Sequence, residues 1–424
     1  MKIRRLLLIF LTSALFLTPL TARAQQAFTS SWGGMVSFTF DDGYRNIYEN
    51  ALPIFQKYGE VGSFFPVVGA IENNEDWIVT WPQLLKFKEA GWEIGSHTMT
   101  HPDLRTLTDA EVDNELKNSK TILANHGIDV KTLAFPYGDY NARVLDYTTR
   151  YYENSREFGA NALNGIDCNR YLITIKEVSA TTPPEETIAW IADAVQQKKW
   201  LVLVLHEIVT GTPGDYQYNA ADLERIVAYV ATNKIPAPTI QQAMAWRQGT
   251  LGPNLIKNPK LEQRDGSGWA CDWSRNDLTD ISVEPVSVER LFSSDQHLKI
   301  VGGSQENTAS PAIVKLPNNK RPYLLSFFLE MTNVGKNGGA EIYLDEYNVQ
   351  GDWISGKWLG GFYAKTFGMP GYLYQPSSPL VEQVGIDIYS VAGGNVTFFG
   401  DNFYFGVILR APAFLPAINL LLLD

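Results

Sequence analysis

Cysteine is nearly absent from this chain of 424 residues, which contains only Cys168 and Cys271. Two thiols separated by about a hundred residues exclude a disulfide-rich scaffold and a cysteine-rich zinc site. A single disulfide between them stays open, although two unpaired thiols are the simpler expectation.

Positive charge is also scarce. The chain has 35 lysine and arginine residues against 46 aspartate and glutamate residues, and its net charge is −11. Such an acidic protein is a poor candidate for binding nucleic acid or an anionic membrane surface. No glycine-rich phosphate-binding motif is present, and nothing indicates a protein partner. The 45% hydrophobic content excludes a mainly disordered chain.

Hydrophobic runs long enough to span a membrane are not found. The apolar segment of residues 6–17 is too short to span a bilayer. The apolar tail of residues 409–424, which prolines interrupt, is also too short, and its role is not indicated. Basic residues precede the first run, and Ala22-Arg23-Ala24 follows it as a small-x-small cleavage site. We therefore predict a signal peptide over residues 1–24 and an exported protein, with a retained membrane anchor as the alternative.

The pattern of the chain changes near residue 250. Over residues 25–249, short apolar runs alternate with helix-like segments such as the one that a capping box at Thr108 opens. That alternation predicts an α/β domain with a parallel sheet or barrel. Over residues 250–408, glycine and asparagine turns separate short β-like runs, which predicts an all-β sandwich.

Polar residues follow four of the apolar runs in the first half, at the point where each run ends. Because the carboxyl ends of parallel barrel strands form one face, these groups are expected to gather there. They are Asp41 with Asp42, His97 with His101, the segment Pro136-Tyr137-Gly138, and His206.

These residue types suit metal-assisted hydrolysis. Two imidazoles and one carboxylate form a mixed nitrogen and oxygen site for Zn²⁺ or a similar divalent ion. A second carboxylate can accept a proton and a further histidine can donate one to a leaving group. The His-x-x-x-His spacing is weak by itself, and Thr98 stands where a helical metalloprotease motif needs glutamate.

Four motifs make residues 32–248 resemble the polysaccharide deacetylases of carbohydrate esterase family 4. The resemblance implies a distorted (β/α) barrel of roughly seven or eight strands that removes N- or O-acetyl groups from a glycan. The motifs are Thr39-Phe40-Asp41-Asp42-Gly43, His97-Thr98-Met99-Thr100-His101, Phe135-Pro136-Tyr137-Gly138 and Leu203-Val204-Leu205-His206.

The resemblance also implies the roles of individual residues. Asp42, His97 and His101 would hold a divalent metal, most simply Zn²⁺. Asp41 would be the general base for the attacking water, and His206 would be the general acid for the departing amine or hydroxyl.

Other residues of the motifs would contact the substrate. The backbone N–H of Tyr137 would help to stabilise the oxyanion. The acetyl group would lie against Pro136, Tyr137, Val204 and Leu205.

One position departs from the family. The third motif usually begins with an arginine that orients the catalytic aspartate, and this chain has Ala134 there. Arg156, in the next strand-like region, is a candidate to supply the missing guanidinium. The alternative is that Arg156 is simply a solvated arginine.

The second half resembles carbohydrate-binding jelly-roll modules at its opening, residues 254–269, and at its close, residues 399–404. Glu262 and Asp401 match positions that often hold a structural Ca²⁺ in such modules. Exposed tryptophans could form a platform for sugar rings, although a sandwich also needs large core residues. The candidates are Trp269, Trp273, Trp353 and Trp358.

Together these features predict an exported, metal-dependent deacetylase of an acetylated polysaccharide. The main alternative is a catalytically inactive glycan-binding surface protein that kept the barrel. Another is an amide hydrolase acting on a small molecule. The sequence does not distinguish peptidoglycan, chitin-like, poly-glucosamine and acetylated xylan substrates.

Overall fold

The computed structural model describes residues 32–158, 162–276, 279–288, 290–292 and 294–409. The predicted signal peptide lies outside the described residues, as does the tail beyond Leu409. Over the described ranges, no helix is both long enough and apolar enough to cross a membrane.

Parallel strands organise the first half. Five of them form one sheet in the order β3-β2-β1-β7-β6, and β4 pairs with β5 in a second parallel sheet. Single bridges, Ser96 to Leu133 and Arg156 to Ile173, connect the pair to the larger sheet on both sides, as in a distorted barrel. The strands are β1 (Met35–Phe40), β2 (Ser63–Phe64), β3 (Glu93–Ile94), β4 (Thr132–Ala134), β5 (Asn154–Arg156), β6 (Lys176–Glu177) and β7 (Trp200–Leu205), followed by the parallel pair β8 (Glu207–Val209) and β9 (Gln217–Asn219).

Helices alternate with these strands, as expected. The capping box at Thr108 is confirmed, because its side chain accepts a hydrogen bond from the backbone of Glu111 and a helix begins at Asp109. The helical segments are Ile47–Ala51, Leu52–Tyr58, Val68–Glu72, Trp81–Glu89, Leu104–Thr106, Asp109–Asn125, Pro136–Gly138, Ala142–Tyr151, Pro184–Gln197, Ala220–Thr232 and Ile240–Thr250.

The central strands β1 and β7 are apolar along their whole length because both of their faces are buried. Leu201 and Leu203 point to the cluster formed with the surrounding helices. Val202 and Val204 join a second cluster on the other face, together with Trp32. This double burial fixes the strands, so that the residues following them are held in defined positions.

The second half is an all-β sandwich of two antiparallel six-stranded sheets, as predicted. One sheet has the order β10-β13-β20-β16-β17, with β14 beside β20, and the other has the order β11-β12-β21-β15-β18, with β19 beside β15. Their strands are β10 (Trp273–Arg275), β11 (Ile281–Pro285), β12 (Gln296–Gly302), β13 (Thr308–Pro311), β14 (Val314–Lys315), β15 (Tyr323–Thr332), β16 (Ala340–Tyr347), β17 (Trp353–Phe362), β18 (Thr366–Gly368), β19 (Gly371–Tyr374), β20 (Gln383–Ser390) and β21 (Val396–Val407).

The two halves contact each other through shared apolar clusters and through polar groups. The buried Arg290 of the sandwich donates to the carboxylate of Asp146, which lies on a helix of the first half. The backbone N–H of Met369 donates to the side chain of Asn169 at 3.2 Å. Cys168 and Cys271 are both free, so the expectation of unpaired thiols is confirmed.

Candidate metal centre and active site

The site lies at the carboxyl ends of the parallel strands. Asp41 and Asp42 follow β1 directly, and His97 follows β3 after two intervening residues. Backbone hydrogen bonds hold these segments side by side. The N–H of Val67 donates to the backbone carbonyl of Asp42, and the N–H of His97 donates to the backbone carbonyl of Pro66. The sheet therefore brings together residues that lie more than fifty positions apart in the sequence.

Asp42, His97 and His101 form a compact group. Asp42 Oδ1 lies 3.4 Å from His97 Nε2 and 3.5 Å from His101 Nε2. One ligand atom from each residue lies within 4.8 Å of the others, and no second such group of three occurs among the described residues. One carboxylate oxygen and two imidazole nitrogens are a ligand set that Zn²⁺ and similar divalent ions accept.

The orientation of His97 fits a metal ligand. Its Nδ1 lies 2.9 Å from the carbonyl oxygen of Ala134, which accepts a hydrogen bond when Nδ1 carries the proton. That tautomer leaves the Nε2 lone pair directed at Asp42. A carbonyl that holds the far nitrogen in this way is the usual arrangement behind a ligating histidine.

The electrostatics of the group also call for a positive charge. Burial alone would raise the pKa of Asp42, but a hydrogen bond from His97 and the nearby histidines lower it to about 2. For His97, burial lowers the pKa while Asp41 and Asp42 raise it, and the net direction is upward. The two carboxylates thus favour a positive charge at His97, beside the other members of the group.

The loop that carries His101 is held by a glutamate that the sequence analysis did not select. Glu115, on the helix Asp109–Asn125, accepts the backbone N–H groups of Met99 and Thr100, each at 2.9 Å. It also accepts the Thr100 hydroxyl at 2.7 Å. His101 has a φ of 60°, a conformation that needs such external support. Nothing in the sequence pattern distinguishes Glu115 from the other polar residues of its helix.

Asp41 forms a buried ion pair with Arg156. The Arg156 guanidinium donates to Asp41 Oδ1, and the two residues are 1% and 4% exposed. The other oxygen, Asp41 Oδ2, lies 3.9 Å from His97 Nε2. Arg156 at the end of β5 therefore reaches the carboxylate that an arginine at position 134 would orient in the family, and it is not the solvated arginine of the alternative.

His206 faces the same group from β7. Its charge is one of the causes that lower the pKa of Asp42. Its Nδ1 lies 4.0 Å from a carboxylate oxygen of Glu177, and its ring lies 5.5 Å from the ring of Tyr216. Tyr216 is 65% exposed and was not predicted as a site residue, because it lies in a loop without a motif.

Tyr137 lies beside His101. Its ring is 4.7 Å from the ring of His101, its side chain is exposed, and its φ of 59° sets it apart from the short helix in which it lies. The neighbouring Pro136 is buried. Exposed aromatic rings of Tyr137 and Tyr216 thus contact two different histidines of the site.

The remaining predicted residues are two buried strand residues directly before His206 and two residues of the sandwich. Val204 and Leu205 are fully enclosed in β7, where Val204 faces the cluster containing Trp32 and Leu205 faces the cluster formed with the helices. In the sandwich, the buried Asp401 accepts hydrogen bonds from the backbone and hydroxyl of Ser294, while Glu262 is exposed. The calcium assignment for Glu262 and Asp401 stays a prediction.

An α/β domain with a carboxylate and two histidines at its strand ends can hold a divalent metal ion at that edge. Residues 31–152 match the family model described as polysaccharide deacetylase. The predicted resemblance to the polysaccharide deacetylases is confirmed, and the matched segment contains Asp41, Asp42, His97, His101 and Tyr137. Arg156 and His206 lie beyond it.

Named relatives are similar over parts of the chain. A peptidoglycan-N-acetylmuramic acid deacetylase of Bacillus subtilis is 33% identical over 119 residues, covering 27% of this chain and 43% of that protein. A chitin deacetylase of Arthroderma benhamiae is 27% identical over 208 residues, covering 44% and 53%. The chain thus spans about half or less of the length of these relatives.

Among solved structures, a Streptococcus pyogenes deacetylase in complex with acetate has a TM-score of 0.35 and 24% identity. That likeness covers 36% of this chain and 68% of the other. A family 4 carbohydrate esterase from Streptomyces lividans has a TM-score of 0.36 and 20% identity, covering 49% and 93%.

Proposed function

We propose that this protein is an exported, metal-dependent deacetylase that hydrolyses acetyl groups on a polysaccharide. The observation that carries the proposal is the convergence of Asp42, His97 and His101 beside the buried Asp41–Arg156 pair. The family match and the relatives named as peptidoglycan and chitin deacetylases support N-acetyl groups as the target. The predicted signal peptide supports export.

Asp42, His97 and His101 would hold the divalent ion, most simply Zn²⁺. When bound, such an ion polarises an acyl carbonyl and lowers the pKa of water. The hydrogen bond between His97 Nδ1 and Ala134 keeps Nε2 available as a ligand. Glu115 keeps the loop before His101 in place by accepting the N–H groups of Met99 and Thr100.

Asp41 would accept the proton of the attacking water. Arg156 occupies Oδ1 of this carboxylate and leaves Oδ2 on the side of His97 Nε2. A positive charge held against one oxygen by a charge-assisted hydrogen bond fixes the orientation of the carboxylate. The pair therefore presents one defined oxygen to the group of Asp42 and the histidines.

His206 would donate a proton to the departing amine. It reaches the site from β7, whereas Asp41 reaches it from the neighbouring β1. Tyr137 would contribute its backbone N–H to the oxyanion and its exposed ring to the sugar. An acid and a base on separate strands can act on opposite ends of the bond that breaks.

Acetate release from a panel of polymers tests this function. The panel contains peptidoglycan, chitin oligomers, a poly-N-acetylglucosamine and an acetylated xylan, and the protein is assayed before and after treatment with a chelator. We expect release from an N-acetylated glycan, its loss with the chelator and its return with Zn²⁺. Release that the chelator does not affect, or no release from any of the four polymers, would reject the proposal.

A further inference from the structure

One outer face of the sandwich is rich in exposed aromatic rings and carboxylates. The outward-facing residues of β16, β17 and β20 contribute to it. We call it the acidic aromatic face and define it by Trp353, Trp358, Tyr363, Tyr389, Glu341, Asp345 and Asp387.

The tryptophans of the sandwich divide into two sets. Trp353 and Trp358 are 63% and 55% exposed. Trp269 and Trp273, which the sequence also offered as platform candidates, are buried in the core between the sheets. The two exposed indoles lie on the same strand and face outward on the same side of the sheet, where they are accessible to a ligand.

Carboxylates hold these rings in place. Glu341 accepts the indole N–H of Trp358 at 3.1 Å and the hydroxyl groups of Tyr363 and Tyr389. Asp345 accepts the indole N–H of Trp353 at 2.9 Å. The rings are therefore oriented before any ligand arrives, which lowers the entropic cost of binding.

The face is also negatively charged. Asp387 lies beside Tyr343 in the strand register and accepts a hydrogen bond from Ser310. In the part of the chain that the structure describes, no lysine or arginine lies within 4.0 Å of the carboxylates of Glu341, Asp345 or Asp387. Lys315 lies opposite Gln383 at one end of the sheet.

We propose that the acidic aromatic face binds polysaccharide segments that carry free amino groups. Sugar rings can stack on the exposed indoles, and protonated amines are attracted both to the indole faces and to the carboxylates. An acetylated sugar offers the stacking but not the positive charge. The proposal rests on the proposed N-deacetylase function, because such segments are the product of that reaction.

Binding to product would keep the protein on a chain that it has begun to modify. The ligand class also follows from charge complementarity, because a face with several carboxylates repels anionic glycans and gains little from neutral ones. The face thus distinguishes a deacetylated segment from an untreated one.

Binding of soluble oligomers to the full-length chain tests the proposal. Glucosamine and N-acetylglucosamine oligomers of equal length are titrated at a mildly acidic pH into the chelator-treated protein, so that the acetylated oligomer is not consumed. We expect the glucosamine oligomer to bind about tenfold more tightly. Equal affinity, or a preference for the acetylated oligomer, would overturn the proposal.

Two substitutions on the acidic aromatic face test whether the glucosamine oligomer binds there. Glu341→Gln keeps an acceptor for the surrounding hydrogen bonds but removes the charge, and Trp358→Ala removes a stacking surface. We expect each change to weaken glucosamine binding by about tenfold. Leu373→Ala, at an exposed position on the other sheet, is the control and should change nothing. Unchanged binding in both Glu341→Gln and Trp358→Ala would contradict the assignment.

The outcome of this binding test can be distinguished from the outcome of the acetate-release test. Acetate release with no binding of the glucosamine oligomer would reject the face and leave the proposed activity intact. Binding at the face with no acetate release from any N-acetylated polymer would reject the activity, because the oligomers are supplied already deacetylated.

Discussion

At the residue scale, a buried ion pair joins Asp41 to Arg156. Both side chains are nearly inaccessible, so each charge depends on the other for stabilisation. The guanidinium also lies 5.0 Å from the centre of the Phe65 ring, which confines it further. The pair therefore contributes to the fold and to the orientation of the proposed base at once.

Arg156→Met is expected to destabilise the protein by about 3–5 kcal/mol, because it leaves the Asp41 carboxylate buried without a partner. Chemical denaturation measures this change. Combining it with Asp41→Asn should recover most of the stability, since no unpaired charge remains, but not the acetate release.

The matched control is Arg105→Met, which breaks exposed ion pairs with Asp103 and Asp139 and should lower stability far less than Arg156→Met does. Equal losses in Arg156→Met and Arg105→Met, or a double variant less stable than Arg156→Met alone, would contradict this view of the pair.

The proposed acid gives a second prediction at this scale. His206→Asn is expected to lower the rate of acetate release by about 10²–10⁴-fold, the contribution of positioned acid–base catalysis. Metal content should stay unchanged, because His206 is not one of the three grouped ligands. A variant with normal turnover, or one that loses its metal, would remove His206 from the proposed role.

At the element scale, one helix shapes the metal centre from a distance. Glu115 on Asp109–Asn125 holds the loop between the two histidines. We expect Glu115→Gln to lower Zn²⁺ affinity by about 10–100-fold, as changes behind metal ligands commonly do. Isothermal titration measures the affinity, and far-ultraviolet circular dichroism checks the fold.

Lys117→Gln on the same helix is the control, because this side chain is exposed. If Glu115→Gln and Lys117→Gln bound Zn²⁺ with the same affinity, the glutamate would have no part in positioning the loop.

In the sandwich, His297 on β12 gives a prediction about pH. Burial, assisted by Arg290 and Lys299, lowers the pKa of His297 from 6.5 to about 4, against an opposing effect of Glu284. The unfolded chain therefore binds this proton more tightly, and stability is lost as the pH falls from about 6.5 towards 4. The midpoint of thermal unfolding should fall less between about pH 7 and pH 5 in His297→Gln than in the parent chain.

Burial raises the pKa of Asp401 to about 6, so protonation of this group favours the folded state as the pH falls. Because Asp401 is present in both proteins, its effect cancels in the comparison. If the midpoint of thermal unfolding changed with pH in the same way in the parent and in His297→Gln, His297 would not be the cause of the lost stability.

The elements also show how far the sequence could be interpreted. The convergence of Asp42, His97 and His101 could be predicted because parallel strands end at one face. The position of Arg156 beside Asp41 could be predicted because few residues can replace the arginine that is missing at position 134. Glu115 and Tyr216 could not, since their roles depend on where a helix and a loop lie in three dimensions. The division of the tryptophans depends on sheet register: Trp353 and Trp358 face outward beside Tyr347 and Tyr343.

At the scale of the whole molecule, the barrel half and the sandwich half combine two chemistries. The first gathers the proposed metal ligands, base and acid at its strand ends, and the second presents an acidic aromatic face. Arg290 and Asp146 connect the halves through a largely buried contact. Together the two proposals describe an enzyme that modifies a polymer while remaining attached to it.

The most direct test of the central claim measures bound zinc and acetate release together in the full-length protein. The parent chain should bind about one Zn²⁺ per molecule through three protein ligands and release acetate. Asp41→Asn should keep the metal and lose about a hundredfold or more of the rate, whereas Asp42→Asn should lose both. If Asp42→Asn kept its metal and its activity, the proposed metal centre would be wrong.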